Sequence, residues 1–365
     1  MLSDSSLMEM WKCAVALDPS LRITNSQLPG LKRKWVRPQA YSREKMFLNM
    51  AHRKVGIFKG VPVLVRKFEG ADTRETLIHS LMRKIPPRET SRVQVGPSHV
   101  MTRLPVREIL RRWLGERAIV GVTDLHIRGT RFEKVIDTKA LSDFNTLIRG
   151  TEDLARQEMM TLVIASAGNV TDSHSDDPDG TNHCFFGKKL WLAWDTFEGM
   201  AAGLQDVERQ SVYKKARFDM TRFLGLKSSR WFVVSEGETL FLPGNLTHKV
   251  LTLESYLGVG SFHIGLPGSL DSFTRWIHRG PLWSMDDPRR ENAGLVDEAA
   301  RATLRIAKRA RSGQRQAMSR WGFPFMRPAY EKWRKSVSAE VRKSVLENAV
   351  FLEIVQIAKA SPGHA

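Results

Sequence analysis

The sequence predicts a mainly β core, a compact barrel or sandwich, with helical additions at its N-terminal and C-terminal ends. Two observations predict it. Short β-prone runs broken by Gly, Pro and Asn crowd residues 158–268. On either side, apolar residues recur at the three-to-four spacing of amphipathic helices. Charge divides the chain in the same places. Residues 1–150 hold 28 Lys/Arg against 14 Asp/Glu, residues 151–270 hold 11 against 15, and residues 271–365 hold 18 against 10. An acidic middle therefore sits between two basic flanks, inside a net charge of +18.

The elements follow in order. Residues 1–115 form a basic, mainly helical region packing on the core. Within it "YSREKMFLNMAHRKVGIF" starts as a helix and "VPVLVRKF" reads as a short strand. In "PVREILRRWLGE", Val106, Ile109, Leu110 and Trp113 make one apolar stripe, and Gly115 ends the helix. Residues 116–270 form the β domain. It opens with "AIVGVTDLHIRG" and continues through "MMTLVIASAG", "HCFFGKKLWLAW", "RWFVVSEG", "ETLFLPG", "THKVLTLE" and "YLGVGSFHIG". A helical insert of one or two helices interrupts it at about 199–225. Residues 271–365 form a basic helical region. "LVDEAARATLRIAKRAR" and "KSVSAEVRKSVLENAVFLEIVQIAKA" are two helical patterns, separated by the breaker "RWGFPFMRPAY".

With 42% hydrophobic residues and ten tryptophans the chain can bury a substantial core. Trp191, Trp194, Trp231, Trp276, Trp283, Trp321 and Trp333 read mostly as part of it. No stretch approaches the roughly 18 uninterrupted apolar residues of a membrane span. "MLSDSSLMEMWKCAVALD" carries acids early and lacks a basic start, so no signal peptide is expected. Cys13 and Cys184 make neither a disulfide framework nor a zinc ribbon, which fits a reducing, cytoplasmic interior.

The chemistry concentrates in "TDSHSDDPDGTNHCFFGKK", Thr171 to Lys189. His174 and Asp176 lie two apart, so an extended backbone turns both to one face. "GETLFLPGNLTHKVLTLE" places His248 at the start of a further strand. Two imidazoles and a carboxylate on one side of a metal make the facial triad of non-haem Fe(II) oxygenases. Lys189 follows Asp176 by 13 residues in a β-prone run. An inward lysine is costly unless an anion neutralises it, and the far carboxylate of 2-oxoglutarate would serve.

These residues resemble the Jumonji-C (JmjC) family of Fe(II)- and 2-oxoglutarate-dependent oxygenases, in its hydroxylase-like branch. The resemblance covers about residues 158–268 and rests on "HSD", Lys189, "PGNLTHKV" and Thr171 three residues before His174. It implies a double-stranded β-helix, a cupin-like jelly roll with helical additions. It implies iron held by His174, Asp176 and His248, and 2-oxoglutarate held by Thr171 and Lys189. His263, 15 residues beyond His248, falls where some members place a polar residue near the cosubstrate. The chain departs from the "PxxWxH" pattern, with Leu246 in "PGNLTH". The implied reaction consumes O₂ and yields succinate, CO₂ and a hydroxylated product, or a demethylated one when the reacting carbon is bound to nitrogen.

The neighbouring residues have plainer readings. Asp172, Asp177 and Asp179 are expected to be solvated turn residues, "DDPDG" having the Pro and Gly of a tight turn. Lys188 should face the opposite side of the strand from Lys189. His183 reads as a core or edge histidine and His126 as a structural one. A calcium loop fails, because its twelfth position is Phe186 rather than a bidentate Glu. A stripe through Val337, Val341, Val345 and Ala349 reads first as internal core and second as a homodimer face. Substrate classes stay open: a protein or peptide side chain, a small metabolite, or nucleic acid drawn by the basic flanks. A metal-binding cupin without turnover is the non-enzymatic alternative.

Overall fold

The computed structural model describes residues 4–65, 74–95, 101–115, 120–130, 133, 136–156, 158–176, 179–204, 218–244, 246–279, 291–313 and 320–363. Its strands are β1 (Gln39–Ala40), β2 (Gly56–Lys59), β3 (Leu64–Val65), β4 (Thr90–Val95), β5 (Met101–Pro105), β6 (Val120–His126) and β7 (Ile136–Asp137). There follow β8 (Thr161–Ala165), β9 (Val170–Ser175), β10 (Asp179–Asp195), β11 (Arg230–Ser235), β12 (Glu238–Leu242) and β13 (Leu246–His263). Eleven of them make one mixed sheet in the order β1-β2-β12-β10-β13-β8-β6-β4-β5, with β11 also pairing β10 and β9 also pairing β13. The remaining two, β3 and β7, pair with each other.

Two long strands organise this sheet. β10 and β13 run antiparallel from Asp179 opposite His263 to Asp195 opposite Leu246. Along one half their outer neighbours are β12 and β8; along the other they are β11 and β9. Between the halves the register slips at Cys184, Phe186, Lys188 and Lys189. Such bulges bend a strand pair. Gly187 sits in the bend with φ +87°, and a Cβ there would overlap the Ser255 backbone carbonyl. Only glycine fits.

The bend folds the two halves toward each other around one inner core. Val163, Cys184, Leu240 and Tyr256 of one half pack in the same cluster as Trp191, Ala193, Phe232 and Val250 of the other. On the outer face of the second half, Leu190, Leu192, Trp194 and Trp231 pack beneath Trp11 and Leu31. These two come from helices Asp4–Leu17 and Leu28–Lys34. Outside the first half, Leu257 and Val259 join a cluster with Phe47, Phe144 and Trp113. Of the tryptophans expected in the core, Trp191, Trp194, Trp231 and Trp333 are buried, Trp276 and Trp321 are half-buried against the C-terminal cluster, and Trp283 lies outside the described residues.

The flanks are less purely helical than their periodicity predicts. "GIFK" becomes β2, which pairs with β12, so the N-terminal region extends the sheet. Helix Val106–Gly115 forms as its stripe requires, burying all four stripe residues. The insert contributes helices Thr196–Ala201 and Met220–Gly225; residues 205–217 lie outside the described residues. The last helical pattern breaks in two, Ala339–Leu346 and Ala349–Ala360. Asn348 caps the second, its side chain accepting from the Phe351 N–H. Of the stripe, Val345 is buried, Val337 and Val341 are half-buried against the same C-terminal cluster, and Ala349 is exposed. Among the described residues no helix is long and apolar enough to cross a membrane.

Candidate metal centre

β9 and β13 bring the three candidate ligands together. His174 lies opposite His248 in the ladder, and the chain leaves β9 at Ser175 to put Asp176 at the open end. Asp176 Oδ2 lies 3.9 Å from His174 Nε2 and 3.5 Å from His248 Nε2. The imidazole centroids are 4.2 Å apart. One ligand atom from each residue falls within 4.8 Å of the others. That spacing fits one ion.

The ring nitrogens are set for the task. His174 Nδ1 lies 2.8 Å from the Asp172 carbonyl and His248 Nδ1 lies 3.1 Å from the Leu246 carbonyl. A carbonyl only accepts, so each Nδ1 carries the proton and each Nε2 keeps a free lone pair. Hydrogen bonds of this kind fix the tautomer and aim of metal-binding histidines. Burial, and then the neighbouring His174, push His248 down to about 4, which keeps its imidazole neutral as a ligand must be. Asp176 is the most exposed of the three and marks the solvent side.

Lys189 belongs to the same face. It lies opposite Thr252, and Ala193 lies opposite His248 in the same ladder. Residues two and four apart on a strand share a face, so Lys189, Trp191, Ala193 and His248 all look inward. Lys189 is 6% exposed. Its Nζ sits 4.4 Å from the centre of the Tyr256 ring, and among the described residues no carboxylate lies within 4.0 Å of it. Burial draws it down to about 8. Thr171 joins this face although its spacing from His174 is odd. It lies opposite Val250, and the register slip between His248 and Val250 absorbs the extra residue.

Two inner residues escape the sequence reading as parts of the site. Tyr256 is fully buried, donates its hydroxyl to Asn182 Oδ1 and lies under the ammonium of Lys189. Its even spacing from His248 was the available signal. Trp191 stacks on Phe232 and its ring lies 5.3 Å from that of His248. Its indole N–H is buried with no hydrogen-bond acceptor. Among the described residues, Lys189 on the inner face has no carboxylate within 4.0 Å and the Trp191 N–H beside His248 has no acceptor, an arrangement that suits an acceptor-rich guest. A keto diacid fits that donor set.

Other expectations need correction. His263 does not approach the ligands: its ring packs between Phe144 and Phe241 on the outer side, 5.0 and 5.4 Å from their centroids. It lies at the far end of β13, opposite Asp179 and beyond the register slips that separate the two halves. Asp179 is not a solvated turn residue. It is wholly buried as the first residue of β10 and accepts from Arg53 Nη1 at 2.6 Å and the Gly244 N–H at 2.8 Å. It thereby ties down the turn that leads into His248. Asp172 meets Lys249 at 3.1 Å instead of bulk water, and Asp177 lies outside the described residues. Lys188 is half-exposed and bonded to Glu254 at 2.5 Å. His183 is a core residue bonded to Thr239 at 2.8 Å, and His126 is exposed at the end of β6.

No family model matches the chain, and no curated protein matches it either. What the centre can hold follows from its own donors: two neutral imidazoles, one carboxylate and, deeper in, one unpaired cation.

Proposed function

We propose that the chain is an Fe(II)- and 2-oxoglutarate-dependent dioxygenase of JmjC type that hydroxylates a C–H bond, on an amino-acid side chain of a protein or peptide. The observation that carries this reading is Lys189, a buried ammonium with no acid of its own on the inner face that presents His174, Asp176 and His248. A metal-binding protein without a keto acid has no use for that charge. The fold proposed with it is a double-stranded β-helix, supported by the bend at Gly187 and the inner core that both halves share.

His174, Asp176 and His248 would hold the iron, which supplies O₂ activation coupled to decarboxylation of the keto acid, with succinate and CO₂ as co-products. A two-histidine, one-carboxylate set with the remaining positions open suits this metal. Lys189 and Thr171 bind the far carboxylate, turning an unfavourable buried charge into an ion pair. Thr252, opposite Lys189, is four residues from His248, about 13 Å along the strand. The lysine side chain and a five-carbon diacid span this between them. Trp191 walls the inner chamber beside His248, keeps water from it, and offers its N–H to the bound acid.

The test is succinate formation from purified protein with Fe(II), 2-oxoglutarate and O₂. Succinate should appear only with all three and be lost in Asp176→Ala. Turnover that survives in Asp176→Ala would exclude this ligand set.

A further inference from the structure

Beside the metal centre lies a cleft of about 830 Å³ between the β core and the C-terminal helices. Leu246 lines it, two residues before His248 and on the same face of β13. The cleft therefore begins about 7 Å along the strand from a metal ligand. Its other walls come from helices Ser269–Arg279, Met326–Ser336 and Ala339–Leu346 and from the chain around Arg53.

Five cations line it: Arg53, Lys54, Arg230, Arg275 and Lys332. Two are neutralised from within. Arg53 pairs with Asp179 at 2.6 Å and Asp271 at 2.9 Å, and Arg275 with Asp271 at 3.1 Å. Asp195, the other acid in the lining, uses its carboxylate to cap helix Thr196–Ala201. Lys54, Arg230 and Lys332 remain, and among the described residues no carboxylate lies within 4.0 Å of any of them. Lys332 gives a hydrogen bond to the His52 carbonyl and Arg230 to those of Lys227 and Ser229, which hold the side chains in place without cancelling their charge. Burial, and then Arg53, pull Lys332 down to about 8. Between the cations the wall mixes Ser228, Thr274, Ser336 and Ser338 with the half-buried Val337 and Val341.

We propose that this cleft docks an acidic stretch of polypeptide, its carboxylates on Lys54, Arg230 and Lys332 and its apolar side chains on Val337 and Val341. Three cations beside two half-buried valines match a peptide that carries acids with aliphatic residues among them. A nucleic-acid strand would want aromatic faces for its bases. The one indole here, Trp333, is buried and gives its N–H to Thr274 at 2.7 Å. Docking itself does not depend on the metal. The segment's purpose, delivery of a side chain to the centre beyond Leu246, rests on the oxygenase reading.

The experiment is fluorescence anisotropy with the full chain and a fluorescein-labelled peptide of repeated Glu-Leu-Gly. Comparators are the Lys-Leu-Gly peptide and an oligothymidylate, with inorganic phosphate as competitor. The acidic peptide should bind saturably and weaken at least about tenfold in Lys54→Glu/Lys332→Gln, as in about 0.5 M against about 0.05 M NaCl. Lys54→Glu/Arg230→Glu, which leaves the half-buried Lys332 in place, should weaken it as much; circular dichroism checks folding of both. Equal binding of the Lys peptide, displacement by millimolar phosphate alone, tighter binding of oligothymidylate, or unchanged affinity in folded variants would each overturn the proposal. Succinate formation without peptide reads the metal centre separately. Succinate with no peptide binding sinks the cleft alone, and peptide binding with no succinate sinks the oxygenase alone.

Discussion

Lys189 and Lys249 lie on the same pair of strands, each 6% exposed, one facing inward and the other outward. Lys249 meets Asp18 at 3.0 Å and Asp172 at 3.1 Å. Burial alone would push Asp18 up; hydrogen bonds from Ser20 and the ammonium of Lys249 outweigh it and hold Asp18 below the usual carboxylate range. Lys189 has only the Tyr256 ring beneath it. Two lysines equally hidden from water are thus treated oppositely. The outer one is a completed structural ion pair that clips the N-terminal region onto β9 and β13, through the residue whose carbonyl orients His174. The inner one has no carboxylate within 4.0 Å among the described residues, and we propose that the keto acid's far carboxylate is its partner.

The largest expected effect is on the ligands that give the inner face its purpose. His248→Ala should reduce iron-dependent succinate formation more than about a hundredfold, since it removes a ligand outright rather than a supporting hydrogen bond. Melting of the metal-free protein should change far less. A variant that keeps its turnover would separate the inner lysine from any metal chemistry.

The lysines themselves should respond in opposite directions. Lys249→Met removes the cation that Asp18 and Asp172 share and should cost the metal-free protein on the order of 3 kcal/mol in urea unfolding. Lys189→Met relieves an unpaired buried charge and should stabilise it by about 2 kcal/mol at neutral pH. If both variants are destabilised alike, the contrast between the two faces is wrong.

A pH series sharpens the same contrast. Lys189 sits at about 8 in the fold against an ordinary 10.5, because of burial. Between those values the unfolded chain holds a proton that the folded chain has released, so stability rises with pH across that window. Lys189→Met should remove one proton's share of that slope and leave the share due to Lys332. In Lys249→Met the slope should persist. The smallest effect belongs to Tyr256→Phe, which keeps the ring under Lys189 and removes the hydroxyl that bonds Asn182 and meets Cys184. It should cost about 1 kcal/mol in thermal or urea unfolding.

How far these features could be read in advance depended on local geometry. His174 and Asp176 were legible because a spacing of two puts side chains on one face wherever the backbone is extended. His248 and Lys189 were legible as a histidine opening a strand and a lysine inside an apolar run. Faces fixed by bulges were not. The slip beside His248 admits Thr171 at an odd spacing, and His263 lies on the outer side beyond the further slips between Cys184 and Lys189. Nor does spacing reveal partners distant in the chain. Asp179 looks like a turn residue beside Pro and Gly, yet Arg53 and the Gly244 N–H make it a buried anchor. β2 carries no helical or alternating pattern long enough to announce its place beside β12. Trp191 reads as core and is core, but its unpartnered N–H appears only once the neighbours are placed.

The most direct measurement is anaerobic binding of 2-oxoglutarate to the Fe(II)-loaded protein, followed by calorimetry for the wild type, Lys189→Met and Lys249→Met. Saturable, iron-dependent binding that falls at least about tenfold in Lys189→Met and is retained in folded Lys249→Met is expected. Equal affinity in the wild type and Lys189→Met, or no iron-dependent binding at all, would contradict the claim that the inner lysine waits for the keto acid's far carboxylate.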